Sequence, residues 1–312
     1  MASPTKNYDV LDIGAGPAGL STVLGLARQT YSAIVFDSQQ YRNAYADHMH
    51  NVVIWDHKSP VELRASARAN IRSKYNSIHF QNSTIVSAAK KEDGTFEVTD
   101  QHQIKYQGKK LVLATGVTDI FPDIKGFGEL WGKSIFHCLF CHGFEERGAI
   151  SAGVLALGFI TSPPMILHMA RMASPLAKHV TIYCHGNKEL STQLQREFQG
   201  KPLTIEPRKI AALERRAEHV TVHFEDGSSR KEAFFVSVPP TKINGPFHEQ
   251  LRLDVDPTGF IKTKPPFSET SLPGVFAAGD CGTMMKAVPQ AAAMGSFAAA
   301  GLVAQLGATG KL

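Results

Sequence analysis

The sequence predicts an α/β protein made of two parallel-sheet domains, the second inserted into the first. Three observations carry this prediction. The opening stretch alternates strand, glycine turn, helix and strand; a second such alternation starts at residue 152; and a strand with its own glycine turn returns at residues 274–282. Strand–helix–strand order implies parallel pairing through a right-handed crossover.

The elements follow in order. "YDVLDIG" (8–14) is a short apolar strand, "GAGPAG" (14–19) its turn, "LSTVLGLARQT" (20–30) a helix and "AIVFD" (33–37) a second strand. "IHFQNSTIVSAAK" (78–90) and "TFEVTD" (95–100) read as strands, with "EDG" (92–94) as the hairpin signal between them. "KKLVLATG" (109–116) follows, then a connector rich in Pro and Gly, "VTDIFPDIKGFGELWGK" (117–133). The second alternation runs "AGVLALG" (152–158), "PPMILHMARMA" (163–173) and "HVTIYCHG" (179–186), and ends in the strands "HVTVHFEDG" and "EAFFVSV". A second connector, "PPTKINGPFHEQL" (239–251), leads back to the first domain. The expected domains are therefore 1–117 with 246–312, and an insert of 118–245.

Composition narrows the function classes. The net charge of +5 comes from dispersed basic residues, "KK" at 90–91 and 109–110 and "RR" at 215–216, with acids between them. That describes a solvated surface rather than a nucleic-acid patch, so no nucleic-acid partner is expected. The opening "MASPTKNYDVLDIGAG" has no apolar core of signal-peptide length. The weakly charged stretch 287–307, rich in Ala and Gly and interrupted by Gln290, Ser296 and Gln305, suits a closely packed buried helix better than a membrane span. Four cysteines in 312 residues, with no secretory signal, point to a reducing, cytoplasmic setting.

Gly14, Gly16 and Gly19 form G-x-G-x-x-G directly after a strand and before a helix, with Pro17 and Ala18 between them. The first glycine permits the tight turn, the second lets main chain approach a diphosphate, and the third lets helix and strand pack closely. The diphosphate then meets the positive helix N-terminus. Asp37 ends the next strand, 18 residues past Gly19, where a carboxylate accepts from ribose hydroxyls. Together these define a Rossmann-like dinucleotide site.

"GVFAAGDCG" (274–282), with Gly279 and Asp280, resembles the second fingerprint of two-dinucleotide-domain flavoproteins, in which the aspartate binds the flavin ribityl chain. In such proteins the helix that starts near Val288, Pro289 and Gln290 faces the isoalloxazine, and its positive end stabilises the reduced ring. "LVLATG", with Ala114, Thr115 and Gly116, matches their strand-to-crossover segment. The resemblance implies FAD as cofactor.

The stretch "HCLFCHGF" (137–144) holds Cys138 and Cys141 in a C-x-x-C between His137 and His142. With an FAD fingerprint before it, the chain resembles the low-molecular-weight thioredoxin reductase family over nearly its whole length. The resemblance implies that Cys141 exchanges electrons with the flavin and Cys138 with substrate. His142 stands where that family usually carries an acid, and a histidine can take a thiol proton and return it near neutrality. His137 is a weaker candidate. A zinc reading of these four residues fails because adjacent Cys and His do not easily point at one centre and no second ligand pair completes the spacing. No metal is expected. Cys184 and Cys281 stand alone and read as buried thiols.

The inserted domain has the scaffold for a second dinucleotide turn but not its residues. In "GVLALGFITSPP", Leu157, Phe159 and Ser162 occupy the three positions that call for small residues. Pro163 and Pro164 remove N–H donors from the helix start. The second strand ends in "TIYCHGNKEL", with no arginine to read a 2′-phosphate. NADPH binding is not expected there.

A redox cysteine pair with FAD and no nicotinamide site runs toward oxidation. This logic, with "HCLFCHGFEE" and the loop "HMHNVVIWDHKSP" (48–60), is similar to the fungal dithiol oxidases of the gliotoxin type, a thioredoxin reductase-like group serving secondary-metabolite biosynthesis. The resemblance implies a homodimer, a small-molecule dithiol of the epidithiodioxopiperazine type as substrate, O₂ as acceptor, and flavin contacts from Arg42 and His50. Two other classes stay open: a disulfide reductase fed by NADPH or another donor, and a non-catalytic flavin-binding module.

Overall fold

The structure, a computed structural model, describes residues 6–217 and 219–309. The first five residues of the opening segment read above for a leader lie outside them. In chain order the elements begin β1 Lys6–Ile13, α1 Pro17–Arg28, β2 Ala33–Phe36, α2 Pro60–Lys74, β3 Ile78–Gln81, β4 Ile85–Lys90, β5 Phe96–Asp100 and β6 Lys105–Leu113. They continue β7 Val117–Asp119, α3 Phe127–Leu130, β8 Ile135–Phe136, β9 Ala149–Gly158, α4 Pro163–Ala173, β10 Ala177–Tyr183, α5 Lys188–Glu197 and β11 Leu203–Glu206. The rest are β12 Ile210–Arg216, β13 His219–Phe224, β14 Ser229–Glu232, β15 Phe234–Val238, β16 Thr241–Ile243, α6 Phe247–Gln250, β17 Val275–Ala277 and α7 Val288–Thr309.

Two compact units result: Met1–Ala44, Lys58–Thr118 and Lys242–Leu312 form one, and Tyr45–His57 with Asp119–Thr241 the other. The sequence expectation of 1–117 and 246–312 against 118–245 differs chiefly at Tyr45–His57. That loop belongs with the inserted unit because His50 bonds the Cys141 carbonyl and Tyr45 lies against Gly132.

The first unit holds a sheet in the order β3-β2-β1-β6-β5-β4. Strands β3, β2, β1 and β6 run parallel, and β5 and β4 return antiparallel. Strand β6 is shared lengthwise: its start pairs with β5, and Leu111–Leu113 pairs in parallel with β17. The segment 78–90, read from sequence as one strand, is two. The chain breaks at Asn82–Thr84, where the Ser83 N–H turns back to the Gln81 carbonyl at 3.0 Å. Helix α7 is long and apolar enough to pass for a membrane span by composition. Its small residues lie against α1 instead: a Cβ on Gly295 would meet the Ala18 carbonyl oxygen at 2.1 Å, and one on Gly25 the Ala299 Cβ at 2.6 Å. The Thr22 hydroxyl donates to the Gly295 carbonyl at 3.1 Å, so this contact is made by main chain.

The second unit holds a five-stranded sheet, β11-β10-β9-β15-β8, parallel throughout, and a three-stranded antiparallel sheet, β12-β13-β14. Its strands are almost continuously apolar, as a sheet covered on both faces requires: Val154, Leu155, Ile182, Tyr183, Phe234 and Phe235 are fully buried. The cysteine pair follows directly from β8.

Candidate active site

In the first unit the three fingerprints converge at the C-terminal ends of the parallel strands. Gly14 has φ +129°, and a Cβ there would lie 2.1 Å from the Ala114 carbonyl oxygen. A Cβ on Gly19 would lie 1.9 Å from the Gly14 carbonyl oxygen. Both glycines are therefore demanded by packing. Gly16 is different: nothing lies within 4 Å of the position its Cβ would take, and it caps α1 with no side chain on the helix end. Only one proline, Pro17, sits in the first turn, so Ala18 and Gly19 keep their N–H groups at the helix start beside the bare Gly16 backbone. That cradle fits a diphosphate. Gly279 has φ +82°, and a Cβ on it would touch Ala18 at 3.0 Å and Ala291 at 3.6 Å, which brings the Asp280 turn and the α7 start to the same place. Val288, Pro289 and Gln290 form that helix start. Thr115 and Gly116 are held by Asn244, whose side chain donates to the Thr115 carbonyl at 2.9 Å. Arg42 lies 3.5 Å from an Asp280 carboxylate oxygen, so the two residues expected at the ribityl chain and flavin do meet.

Asp37 is already engaged by its own neighbours. Its buried carboxylate already accepts the Tyr41 hydroxyl at 2.6 Å, the Gln39 N–H at 2.8 Å and the Arg68 guanidinium. A ribose hydroxyl would have to share Asp37 with these donors or displace one, because a carboxylate offers about four acceptor directions. Tyr41 is pushed up to about 12 by burial and by Asp37 beside it, and Arg64 stacks 3.7 Å above its ring. Tyr41, Arg64 and Arg68 carry no motif, so the sequence did not mark them.

In the second unit Cys138 and Cys141 form a disulfide across one turn, with Cα atoms 5.3 Å apart. The Cys138 carbonyl accepts the N–H groups of Cys141 at 3.2 Å and His142 at 3.0 Å, which closes the turn. Both sulfur-bearing residues are half-buried, so burial does not separate their roles. His142 packs face to face on Phe136 at 5.3 Å and edge-on to His50 at 5.3 Å. Burial, and then the neighbouring His50, hold its pKa below the usual imidazole value, while its ring also bonds the His48 backbone. A neutral imidazole beside a disulfide can accept a thiol proton.

His50, for which the resemblance implies a flavin contact, lies in the second unit with its Nδ1 2.6 Å from the Cys141 carbonyl oxygen. A carbonyl only accepts, so Nδ1 carries the hydrogen. Around it stand His57 and Glu145, with His50 Nε2 3.1 Å from His57 Nδ1 and 3.4 Å from Glu145 Oε1. Sequence reasoning missed His48, His57 and Glu145. The available signal was the density of histidines in "HMHNVVIWDH" and of acids in "GFEE". His137 lies 6.1 Å from the Trp131 ring. Cys184 and Cys281 are buried free thiols, as expected, each pushed up to about 11 by burial.

The inserted turn does not fit a pyridine nucleotide. Phe159 and Ile160 spend their N–H groups on the Val238 and Leu157 carbonyls, and prolines occupy both of the first two positions of α4. Past β10, His185 and Gly186 lead to Asn187, which caps α5, and 177–195 contains no arginine. Arg208, at the end of the neighbouring β11, is clamped on Glu206 by two bonds of 2.8 and 2.6 Å.

A nested pair of dinucleotide-type sheets with a redox disulfide defines a flavin-dependent disulfide oxidoreductase. The chain belongs to the pyridine nucleotide-disulphide oxidoreductase family, which matches residues 8–295, and that family's members are FAD-binding flavoproteins. It is 44% identical to "Thioredoxin reductase aclD" of Aspergillus oryzae over 98% of both chains. It is 42% identical to "Thioredoxin reductase sirT" of Leptosphaeria maculans, over 97% of this chain and 95% of that one. The crystal structure of an oxidoreductase from Agrobacterium tumefaciens superposes with a TM-score of 0.87 at 29% identity, over 97% of this chain and all of that one.

Proposed function

We propose that the protein oxidises a small-molecule dithiol to an intramolecular disulfide, with O₂ as the final acceptor. The observation that carries the reading is a formed Cys138–Cys141 disulfide beside a neutral-favouring His142, in a chain whose inserted turn lacks room and donors for a nicotinamide coenzyme's diphosphate.

His142 takes the proton from the first substrate thiol. The thiolate attacks Cys138 Sγ, the Cys138–Cys141 bond breaks, and Cys141 leaves as thiolate. The second substrate thiol, once deprotonated, attacks the substrate sulfur of the mixed disulfide. Product leaves with its new S–S bond, and two electrons remain on the reduced pair. Gly14 to Gly19 would hold the FAD diphosphate, Asp37 with its neighbours the ribose, and Arg42 with Asp280 the ribityl chain. When bound, FAD supplies the two-electron acceptor that restores the disulfide and passes the electrons to O₂, giving hydrogen peroxide. Exposed Phe140, Phe144, Val53 and Ile54, on the segments that carry the pair and His50, favour an apolar metabolite over a charged one. The active form we propose is a cytoplasmic homodimer.

The relatives' names support a second reading, a thioredoxin reductase-like disulfide reductase fed by NADPH or another donor. Anaerobic titration separates the two. Under the proposal, a dithiol bleaches the flavin band, NADPH does not, and air then restores the colour with one peroxide per flavin. Rapid bleaching by NADPH would overturn it.

A further inference from the structure

We propose that His50, His57 and Glu145 form a zinc-class metal site beside the redox disulfide. The sequence reading expected no metal because Cys138, Cys141, His137 and His142 do not converge. The fold assembles a different set, from the 45–57 loop and the turn after Cys141.

The geometry comes first. His50 Nε2, His57 Nδ1 and Glu145 Oε1 lie 3.1, 3.4 and 4.0 Å from one another. Tetrahedral zinc with bonds of about 2.1 Å sets its ligand atoms about 3.4 Å apart. Two imidazoles and one carboxylate are a zinc donor set that leaves a fourth position open.

The bonding on the far side of His50 and Glu145 is a second, independent observation. His50 Nδ1–H donates to the Cys141 carbonyl, so Nε2 turns a bare lone pair toward the cluster. His57 Nε2 faces an Asp56 carboxylate oxygen at 3.6 Å, and Asp56 is itself fixed by the Asn51 N–H at 2.7 Å. His57 Nδ1 faces inward, 3.1 Å from His50 Nε2, and without a cation one of these two nitrogens donates to the other. Glu145 Oε2 accepts the Gly143 N–H at 3.3 Å. Metal-bound histidines carry this pattern, the outer nitrogen donating to a carbonyl or carboxylate. A cation among them would replace the single His50–His57 hydrogen bond with two metal–nitrogen bonds and engage the Glu145 carboxylate as well. Zinc meets all three at once, whereas a shared proton meets two.

Zinc bound here ties the loop to the cysteine turn and keeps an open position of the kind a thiolate takes. A substrate thiolate as fourth ligand would rest on the proposed oxidase reading; metal binding itself does not.

The test titrates zinc chloride by calorimetry into tag-free, FAD-loaded protein stripped with a chelator, with the disulfide kept oxidised. Cobalt(II) absorption reports the geometry. One equivalent should bind, and cobalt should give tetrahedral-type visible bands. His57→Ala and Glu145→Gln, both at exposed positions and checked by melting curves, should each weaken zinc by at least about tenfold. His179→Ala, an exposed histidine on β10, should bind as wild type. No saturable binding, equal binding in the His57 and Glu145 variants, or binding only after reduction of the cysteines would overturn the site. None of these outcomes bears on whether a dithiol bleaches the flavin.

Discussion

Asp12→Val should stabilise the protein. Asp12 lies near the C-terminal end of β1, fully buried, and neither carboxylate oxygen has a hydrogen-bond partner. Its neighbours across the sheet are Val35 and Val112, so valine matches both the strand and its surroundings. Burial raises its pKa well above the ordinary carboxylate value, which favours the protonated form in the folded protein. An unsatisfied buried polar group costs about 1–3 kcal/mol in mutational series. Removing it should raise the midpoint by about 2–4 °C per kcal/mol. A raised carboxyl stabilises the fold only below its unfolded value, and that contribution is lost as pH rises toward the folded value. Between the two, the wild type pays for a proton taken up on folding. The gap in favour of Asp12→Val should therefore widen by up to about 1.4 kcal/mol per pH unit. Urea unfolding of the FAD-loaded proteins at several pH values measures it. A variant that is no more stable, or a gap that stays flat with pH, would refute the reasoning.

Other substitutions separate the roles within each unit. Gly16→Val should fold normally, because its Cβ meets open space, yet bind FAD at least about tenfold more weakly, read by retained flavin and by the melting curve of the apoprotein. Normal FAD affinity would remove Gly16 from the diphosphate cradle. Cys141→Ser should lower dithiol-driven peroxide release on the order of 10³-fold or more, and a normal rate would discard the proposed order of steps. His142→Ala should slow the same step by about 10²-fold while leaving FAD content unchanged. In the wild type that step should rise with pH along an acid limb whose midpoint lies below the ordinary histidine value of 6.5, because burial disfavours the charged ring. A midpoint above that value would assign the proton transfer to another group. The same depression means that His142 supports folding above its ordinary value and ceases to as pH falls through its folded one.

The local motifs were legible in the chain because local stereochemistry dictates them. A backbone at φ +129° against a carbonyl oxygen accepts only glycine, so Gly14 announces its turn from sequence. Two prolines opening α4 remove their donors wherever that helix packs. A C-x-x-C spans one turn, and its pairing needs no distant residue. What tertiary structure alone decided depends on segments far apart in the chain meeting. No pattern in "DVLD" marks Asp12 as an orphaned buried acid; that follows from the strands on both sides of β1. One acceptor direction of Asp37 is taken by Arg68, which is 31 positions away. His50 meets the cysteine turn, 91 positions downstream, because a carbonyl there captures its ring. Sequence specifies what a residue can do, but which lone pairs face one another is set by packing.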